Sequence, residues 1–574
     1  MIDRKIGKEN FPVFKERDAV KEIREFIESD NCLKGRVLIL YGIRRTGKTT
    51  MMEQVLHSYS GKENYVFIEA EDGDTMRDIK DRLLIEEENG VSIVFLDEIT
   101  KVSNFQSNSS VLPDVFAKDG MRIILTGTDS LGFQMAANTE LFGRIKRIST
   151  THIPFTEHCR VFDINDIDDY IEYGGLMCRG KEDGSVNDYI SALRYLDSAV
   201  SQNICNSIKK SFRNSHISIL DDNEIQCIIE KMVEKYSGAL NENVAEAVLD
   251  DVSVNFPVSK LGSPEAKRLG LDVSKNIVRN LKLQQDNITE DFVKEINATE
   301  ELSHKITTAM VREFERYLMD MDVLSVTSSV DYIYRDNLGW QEMEPQNEYY
   351  IVQPTVKFNH LKKGLSFVEG RSYYKELSAS EKIFFKGKLE EKIKGDMTEQ
   401  IILFDMMHEL KDTQYKIYKP SFYKNKDKLG EYDMLIYDTF FNKYWAFEIK
   451  HTTAPYYKQH KHLKNDFIRE IIDRNYGSRE NAAVLYRGSS CEDSDDGSLY
   501  LNITDFMLAV EKHHDMDKAM SELAVGISRY AIEKQNRRND EKEDFKSGES
   551  QPSGNIKGRK ALAIEAVKCM THGR

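Results

Sequence analysis

The sequence predicts an α/β fold built on a parallel sheet, and three observations carry that prediction. Val37-Leu38-Ile39-Leu40 reads as a buried strand, and Gly42-Ile43-Arg44-Arg45-Thr46-Gly47-Lys48-Thr49 follows it directly. Met51, Met52, Val55 and Leu56 come next at helical spacing. Ile93-Val94-Phe95-Leu96, four apolar residues in a row, reads as a central strand covered on both faces. Ile123-Ile124-Leu125 is a third such run and ends in the polar stretch Thr126-Gly127-Thr128-Asp129-Ser130.

The elements follow in order. Residues 1–35 are a lead-in, with Phe11-Pro12-Val13-Phe14 expected against the sheet edge and a helix at 19–27. Strands are expected near 37–41, 65–69, 92–97 and 122–126, so that 1–155 forms the first domain. Residues 156–250 are mostly helical by periodicity, and Asp169-Tyr170-Ile171-Glu172-Tyr173 stops at the pair Gly174-Gly175. Residues 251–355 read as a smaller module. Ile306, Met310, Phe314, Leu318 and Met319 form an apolar stripe after Ser303, a candidate N-cap, and short strands are expected at 323–326 and 349–352. Helix plus two strands suggests a winged-helix-like module, which suits DNA binding or the joining of domains equally. Residues 356–535 form a last α/β domain, and 536–574, rich in Gly, Ser, Lys, Arg and Glu, reads as a disordered tail.

Composition narrows the class. With 574 residues the chain is too long for one core. No apolar run approaches the roughly 20 residues that span a bilayer, and Met1-Ile2-Asp3-Arg4-Lys5 lacks the apolar core of a signal peptide. No membrane partner is therefore expected. The seven cysteines (Cys32, Cys159, Cys178, Cys205, Cys227, Cys491 and Cys569) include no C-x-x-C pair, which argues against a disulfide framework or zinc site and for a reducing cytoplasm. The net charge of −16 excludes a surface that coats nucleic acid as a whole, but not a local basic face.

The glycine stretch matches G-x-x-x-x-G-K-[ST], a phosphate-binding loop between strand and helix. Its backbone N–H groups and the helix N-terminus would face phosphates. Gly42, Arg45, Thr46, Gly47, Lys48, Thr49 and Thr50 are the candidate nucleotide-binding residues. Lys48 would reach the β- and γ-phosphates and Thr49 would ligate Mg²⁺. Asp97, at the strand end, would hold the same Mg²⁺, and Glu98 beside it is placed to orient or deprotonate an attacking water. That pair favours hydrolysis over phosphoryl transfer to a small metabolite. Thr128 could sense the γ-phosphate. Arg144 could neutralise transition-state charge in its own or a neighbouring subunit, or lie on the surface as an ordinary arginine.

Residues 36–177 resemble the prokaryotic AAA-type ATPases related to the STAND group, often called archaeal-type ATPases. The matching pieces are Tyr41 through Thr49, Leu96-Asp97-Glu98, Leu125 through Ser130, Gly143-Arg144, His152-Ile153-Pro154-Phe155-Thr156-Glu157 and Tyr173-Gly174-Gly175. The chain departs from the family at Thr128-Asp129, where a serine-rich turn is usual, and at Met177, where a proline is usual. The resemblance implies a P-loop NTPase sheet with a helical lid, ATP as nucleotide and a possible homo-oligomer.

A second pattern lies in 380–510. A helix around Glu399 carries Ile401, Ile402, Leu403, Met406 and Leu410; Asp433 opens the strand Met434-Leu435-Ile436-Tyr437; and Tyr444 through Lys450 is a strand ending in E-x-K. Glu448 and Lys450 share a face. Asp433 and Glu448 could bind Mg²⁺, Glu399 could reach in from the helix, and Lys450 could position a water or stabilise charge, as metal-assisted phosphodiester hydrolysis requires. With a helix at 459–472 and the strand Ala482-Ala483-Val484-Leu485-Tyr486, this region resembles the PD-(D/E)XK, restriction-endonuclease-like fold. The E-x-K pair also fits an ordinary edge strand. Residues 411–464 hold eleven lysines against six acids, interleaved with Tyr415, Tyr418, Phe422, Tyr423, Tyr456 and Tyr457, which suits DNA or a merely solvated loop.

Two functions follow as expectations. One is an ATPase whose nucleotide state controls a DNA-directed, Mg²⁺-dependent nuclease module. The other is a STAND-like nucleotide switch whose C-terminal domain is a non-catalytic scaffold for a protein partner.

Overall fold

The computed structural model describes residues 1–3, 15–29, 34–43, 45–59, 64–150, 152–177, 201, 204–205, 216–236, 288–344, 346–358, 369, 379–425, 427–493, 497–525 and 527–530. The expected contact of residues 11–14 and the tail at 536–574 lie outside them, as does most of 178–287.

The first sheet has six strands: β1 (Ile2–Asp3), β2 (Val37–Tyr41), β3 (Tyr65–Glu69), β4 (Ile93–Asp97), β5 (Arg122–Gly127) and β6 (Ile145–Ser149), in spatial order β1-β3-β4-β5-β2-β6. All pairs are parallel except the β1–β3 edge. β2 and β4 are buried at every position because helices cover both faces, which is why their sequences run apolar without alternation. One face packs on α1 (Asp18–Glu28) and α2 (Lys48–Tyr59) through Ile23, Phe26, Met52 and Val55; the other packs on α3 (Met76–Glu88) and α4 (Ser130–Asn138) through Ile79, Leu83, Phe133 and Ala136. β5 stands between β2 and β4, so its polar C-terminal end lies between the loop after β2 and the carboxylates after β4.

The chain then leaves this sheet through α5 (Phe155–Phe162) and α6 (Ile167–Tyr173). These helices lie where a lid was expected, but Phe155, Cys159, Ile167, Tyr170 and Ile171 sit in the core of the C-terminal sheet. Burying each large apolar side chain contributes about 1.5–3 kcal/mol. The exposed ion pair Arg160–Asp18 adds about 1 kcal/mol or less, so apolar burial holds this junction.

Helices α7 (Asp222–Tyr236), α8 (Ile288–Thr299) and α9 (Thr308–Asp320) form a separate core with Ile43 of the glycine loop and Leu131 of α4. Thr307, not Ser303, caps α9: its side chain accepts from the Met310 N–H. The strands expected as a wing are larger than the sequence suggested. β7 (Leu324–Arg335) pairs with β8 (Gly339–Glu342) and β9 (Gln346–Ile351), then runs parallel to β10 (Tyr415–Lys424), so all three belong to the C-terminal sheet.

That sheet has eleven strands in the order β17-β15-β16-β14-β13-β12-β10-β7-β8, with β11 (Asp427–Glu431) on β10 and β9 on β7. β12 (Met434–Asp438) is antiparallel to β13 (Lys443–Lys450), and β13 is parallel to β14 (Ser478–Tyr486) and β14 to β16 (Leu499–Asn502). β15 (Cys491–Asp493) and β17 (Ser528–Tyr530) close the edge. One face is covered by the 31-residue α10 (Ala379–Glu409) with α12 (Ile503–His513) and α13 (Met516–Val525), the other by α11 (Asp466–Tyr476). Among the described residues no helix is long and apolar enough to cross a membrane.

Candidate functional site

Among the described residues of the glycine loop Gly42 (φ 153°), Arg45 (66°) and Gly47 (84°) have positive φ, the last two in the left-handed region. Glycine is required at Gly47: a Cβ there would lie 2.8 Å from Met177 Cγ. Gly47→Ala is therefore expected to abolish nucleotide binding, measured by titration with a fluorescent ATP analogue. The double variant with Met177→Ala should not recover, because the φ penalty persists. Thr46 is buried, its hydroxyl donating to the Ile43 carbonyl at 2.9 Å and lying 3.1 Å from Thr150 Oγ1. The buried Lys48 ammonium donates to the Gly42 and Ile43 carbonyls at 2.7 and 2.8 Å, which holds its charge inside the loop. Thr49 and Thr50 open α2.

Below the loop, three strand ends meet. Thr49 donates to Asp97 Oδ2 at 3.2 Å, and Thr126 donates to Asp97 Oδ1 at 2.7 Å. The Glu98 N–H also donates to Asp97 Oδ1, at 3.0 Å. Glu98 adopts a left-handed conformation (φ 53°), which turns the chain sharply as it leaves β4, and Thr128 donates to its Oε2 at 3.2 Å. A loop lysine, a hydroxyl–carboxylate pair and a second carboxylate held by a threonine converge at the C-terminal edge of a parallel sheet, where open α/β sheets bind ligands.

Residues 34–159 match an AAA domain. An AAA domain is a nucleotide-binding ATPase module that works with Mg²⁺, and the Thr49–Asp97 pair supplies oxygen donors of the kind that ion takes. The match ends inside α5, one helix before the end of the segment that packs on the C-terminal sheet. No curated protein matches the chain.

Arg144 lies at the other edge of the AAA domain. Its carbonyl accepts from the Val37 N–H, at the start of β2 rather than at its loop end, about 15 Å away by strand rise. Its guanidinium pairs with Asp114 at 2.6 Å. Arg144 therefore does not reach this chain's own loop. Arg17, which the sequence did not single out, and Met177, which it marked only as a departure from the family pattern, do. Arg17 is buried, donates to the Thr46 carbonyl, and makes a two-pronged pair with Glu157 at 2.9 and 2.8 Å. The Met177 N–H donates to the Arg45 carbonyl at 2.9 Å. No motif surrounds Arg17, whose only signal is an arginine just ahead of α1.

In the C-terminal sheet, Asp433, Glu448 and Lys450 meet. The Lys450 ammonium lies 2.7 Å from Asp433 Oδ2 and 2.6 Å from Glu448 Oε2, and Asp433 Oδ2 also accepts from the Ile449 N–H at 2.7 Å. Among the described residues Glu448 Oε1 is buried with no hydrogen-bond partner. Burial and the Asp433 carboxylate push the Glu448 carboxyl up to about 9. Burial opposes the charge on Lys450, but the two carboxylates hold it above its usual range. Glu399 stands beside the cluster, paired with Lys419 at 2.6 Å; burial pushes it up to about 7 against that lysine, with Asp433 adding to the rise. The neighbouring Lys357 is buried, which lowers it to about 8. Lys419 and Lys357 were not legible as site residues, because nothing in the sequence pairs them with Glu399 or Gln400.

Among the described residues no group of three or more His, Cys, Asp or Glu side chains is placed to hold a metal. The pair Asp433 and Glu448 still fits Mg²⁺, which is commonly bound through one or two carboxylates with the rest of its shell from water and phosphate. The orphaned Glu448 oxygen is the donor such an ion would use.

The raised carboxyls link folding to pH. Both Glu399 and Glu448 sit above the ordinary 4.5, so the protonated form is favoured in the fold. Stability is fully present below about 4.5 and is lost as pH rises through about 7 for Glu399 and about 9 for Glu448. Urea midpoints in EDTA should fall from pH 5 to 8. Glu399→Gln should remove on the order of 2–3 kcal/mol of that fall.

Proposed function

We propose that this chain hydrolyses ATP at the loop of residues 42–50 and uses its nucleotide state to control a DNA-directed C-terminal unit, a Mg²⁺-dependent nuclease module. The observation that supports it most is the convergence of Thr49, Asp97, Thr126, Glu98 and Thr128 beneath the loop. Lys48 and the loop N–H groups bind the phosphates, and Thr49 and Asp97 hold Mg²⁺, which neutralises phosphate charge. Glu98, oriented by Thr128, takes the proton of the attacking water. On this reading the AAA domain, the helical segment after it, the α9–β9 module, whose strands join the C-terminal sheet, and the rest of that sheet are successive functional parts, α5 and α6 being shared between the first and the last. The placement of Arg144 at the far edge suits a role in a neighbouring copy, hence a homo-oligomer, and the residue classes suit the cytoplasm. Phosphate release by the wild type that is absent in Lys48→Ala would support the ATPase; equal release by both would refute the site.

In the C-terminal unit Asp433 and Glu448 would hold Mg²⁺ and Lys450 would stabilise charge on the scissile phosphate. A second reading rests on Lys450 itself. Its ammonium bridges both carboxylates, an arrangement that also suits a static scaffold binding a protein partner below a nucleotide switch. Mg²⁺-dependent cleavage of plasmid and single-stranded DNA, with and without ATP, separates the two. Cleavage lost in Lys450→Ala favours the nuclease. ATP hydrolysis without cleavage favours the switch.

A further inference from the structure

Arg17 is one of few charged side chains buried at the glycine loop, and both ends of its hydrogen-bonding capacity are spent on different parts of the molecule. Nη1 donates to the Thr46 carbonyl, in the loop itself. Nε and Nη2 donate to the two Glu157 oxygens, in α5. Glu157 Oε1 also accepts from the Asp18 N–H at 2.8 Å, so α1 is fastened to the same carboxylate. Arg17 and Glu157 are each 4% exposed, which removes competing water from the contact.

α5 does not end its contacts there. The Phe155 N–H, at its first turn, donates to Asp405 Oδ2 of α10 at 2.7 Å, and Phe155 itself is in the C-terminal core. α6 continues the connection. Asp168 lies 2.6 Å from His451 Nε2 and 2.8 Å from Arg487 Nη1, while Glu172 pairs with Lys394 of α10 at 3.0 Å. His451 follows Lys450 directly. After α6 the chain returns to the loop: Met177 packs on Gly47 and donates its N–H to the Arg45 carbonyl. The segment 155–177 is thus pinned to the loop at both ends, and in between to α10 and to His451, the residue after Lys450.

We propose that Arg17 is a positioning residue for the glycine loop, and that its pair with Glu157 is the strut through which a phosphate group in the loop moves α5 and α6 against the C-terminal sheet. Binding of phosphates draws on the loop N–H groups and Lys48, and any shift of the Thr46 carbonyl changes where the guanidinium is held. The guanidinium is a rigid planar fork, so a shift at Nη1 is passed to the Glu157 carboxylate rather than absorbed by rotation. The cost of leaving either buried charge unpaired keeps the two moving together. This rests on the proposed nucleotide reading and names the route by which that nucleotide acts on the second site.

The test is hydrogen–deuterium exchange of the full chain with and without Mg²⁺–ATP, in the wild type, Glu157→Gln, Arg17→Lys and Arg160→Ala. In the wild type, ATP is expected to change exchange at the loop, at 155–173 and at 450–453. In Glu157→Gln the change at the loop persists, while the change at 155–173 and 450–453 falls by at least fivefold. Arg17→Lys, which keeps the charge but not the fork, gives the same uncoupling. Arg160→Ala breaks a neighbouring ion pair that does not touch the loop and retains wild-type transmission, which separates the strut from general loosening of α5. Undiminished transmission in both Glu157→Gln and Arg17→Lys would overturn the proposal alone. An absence of any ATP effect at the wild-type loop would instead overturn the nucleotide reading beneath it. Thermal melts select temperatures at which every variant is folded.

Discussion

Glu98→Gln is expected to slow ATP turnover by about 10²–10⁴-fold, the contribution of a positioned general base, while leaving ATP bound. Glutamine is isosteric with glutamate, so it can still accept from Thr128 Oγ1, and the left-handed turn at Glu98 demands nothing of the side chain. What is lost is the capacity to take a proton. Lys48→Ala has the opposite signature. Its ammonium is held inside the loop by the Gly42 and Ile43 carbonyls, and its removal should abolish binding, seen as loss of fluorescent ATP-analogue titration. The two variants together distinguish catalysis from affinity. Single-turnover hydrolysis that is unchanged in Glu98→Gln would remove Glu98 from the mechanism, whatever happens in Lys48→Ala.

Lys450→Ala is expected to reduce Mg²⁺-dependent DNA cleavage by about 10²–10³-fold, the worth of one preorganised charge at a developing anion. The fold should tolerate the change at neutral pH, because the Glu448 carboxyl, held up to about 9, can take a proton in place of the lost ammonium. The same raised carboxyl sets the pH dependence of the wild type. Only ionised Glu448 offers both oxygens to a cation, so cleavage at limiting Mg²⁺ should rise with pH between 7 and 9 by up to about tenfold per unit. Saturating Mg²⁺ should shift the rise to lower pH, because the ion favours the ionised form. A rate that is flat or falls over that range would mean that Glu448 is not the titrating ligand.

The chemistry-bearing ends of strands were legible in the sequence. Asp97 and Glu98 follow a wholly apolar run, and Glu448 and Lys450 close another, because a residue just past a buried strand has only the sheet edge to occupy. The core strands were legible for the same reason, with bounds within a residue or two at β2, β3, β4 and β5. What was not legible depends on contacts between residues far apart in the chain. Arg17 and Glu157 are separated by 140 positions and neither lies in a strand, so no periodicity relates them. β7 looked like a short wing strand because the polar run Thr327-Ser328-Ser329 interrupts it; its second half pairs with β10, more than eighty residues later. α5 and α6 have the helical periodicity of a lid, and periodicity does not say which core an apolar face will enter. Arg144 is a further case, because the sequence left open its own subunit, a neighbouring one or the surface. The parallel strands put it at the edge opposite this chain's own loop, which no local pattern around Gly143 foretells.

The apolar residues of α5 and α6 have a practical consequence for dividing the chain. A fragment cut where the AAA match ends would leave Phe155 and Cys159 without the surface they are buried against, and would remove both from the core that Ile167, Tyr170 and Ile171 still occupy in the other half. Neither piece would be a natural unit of exchange. A recombination that joined this nucleotide engine to a different C-terminal cargo would have to carry residues 155–173 with the cargo, and Arg17 would then meet whatever residue the newcomer supplied in place of Glu157.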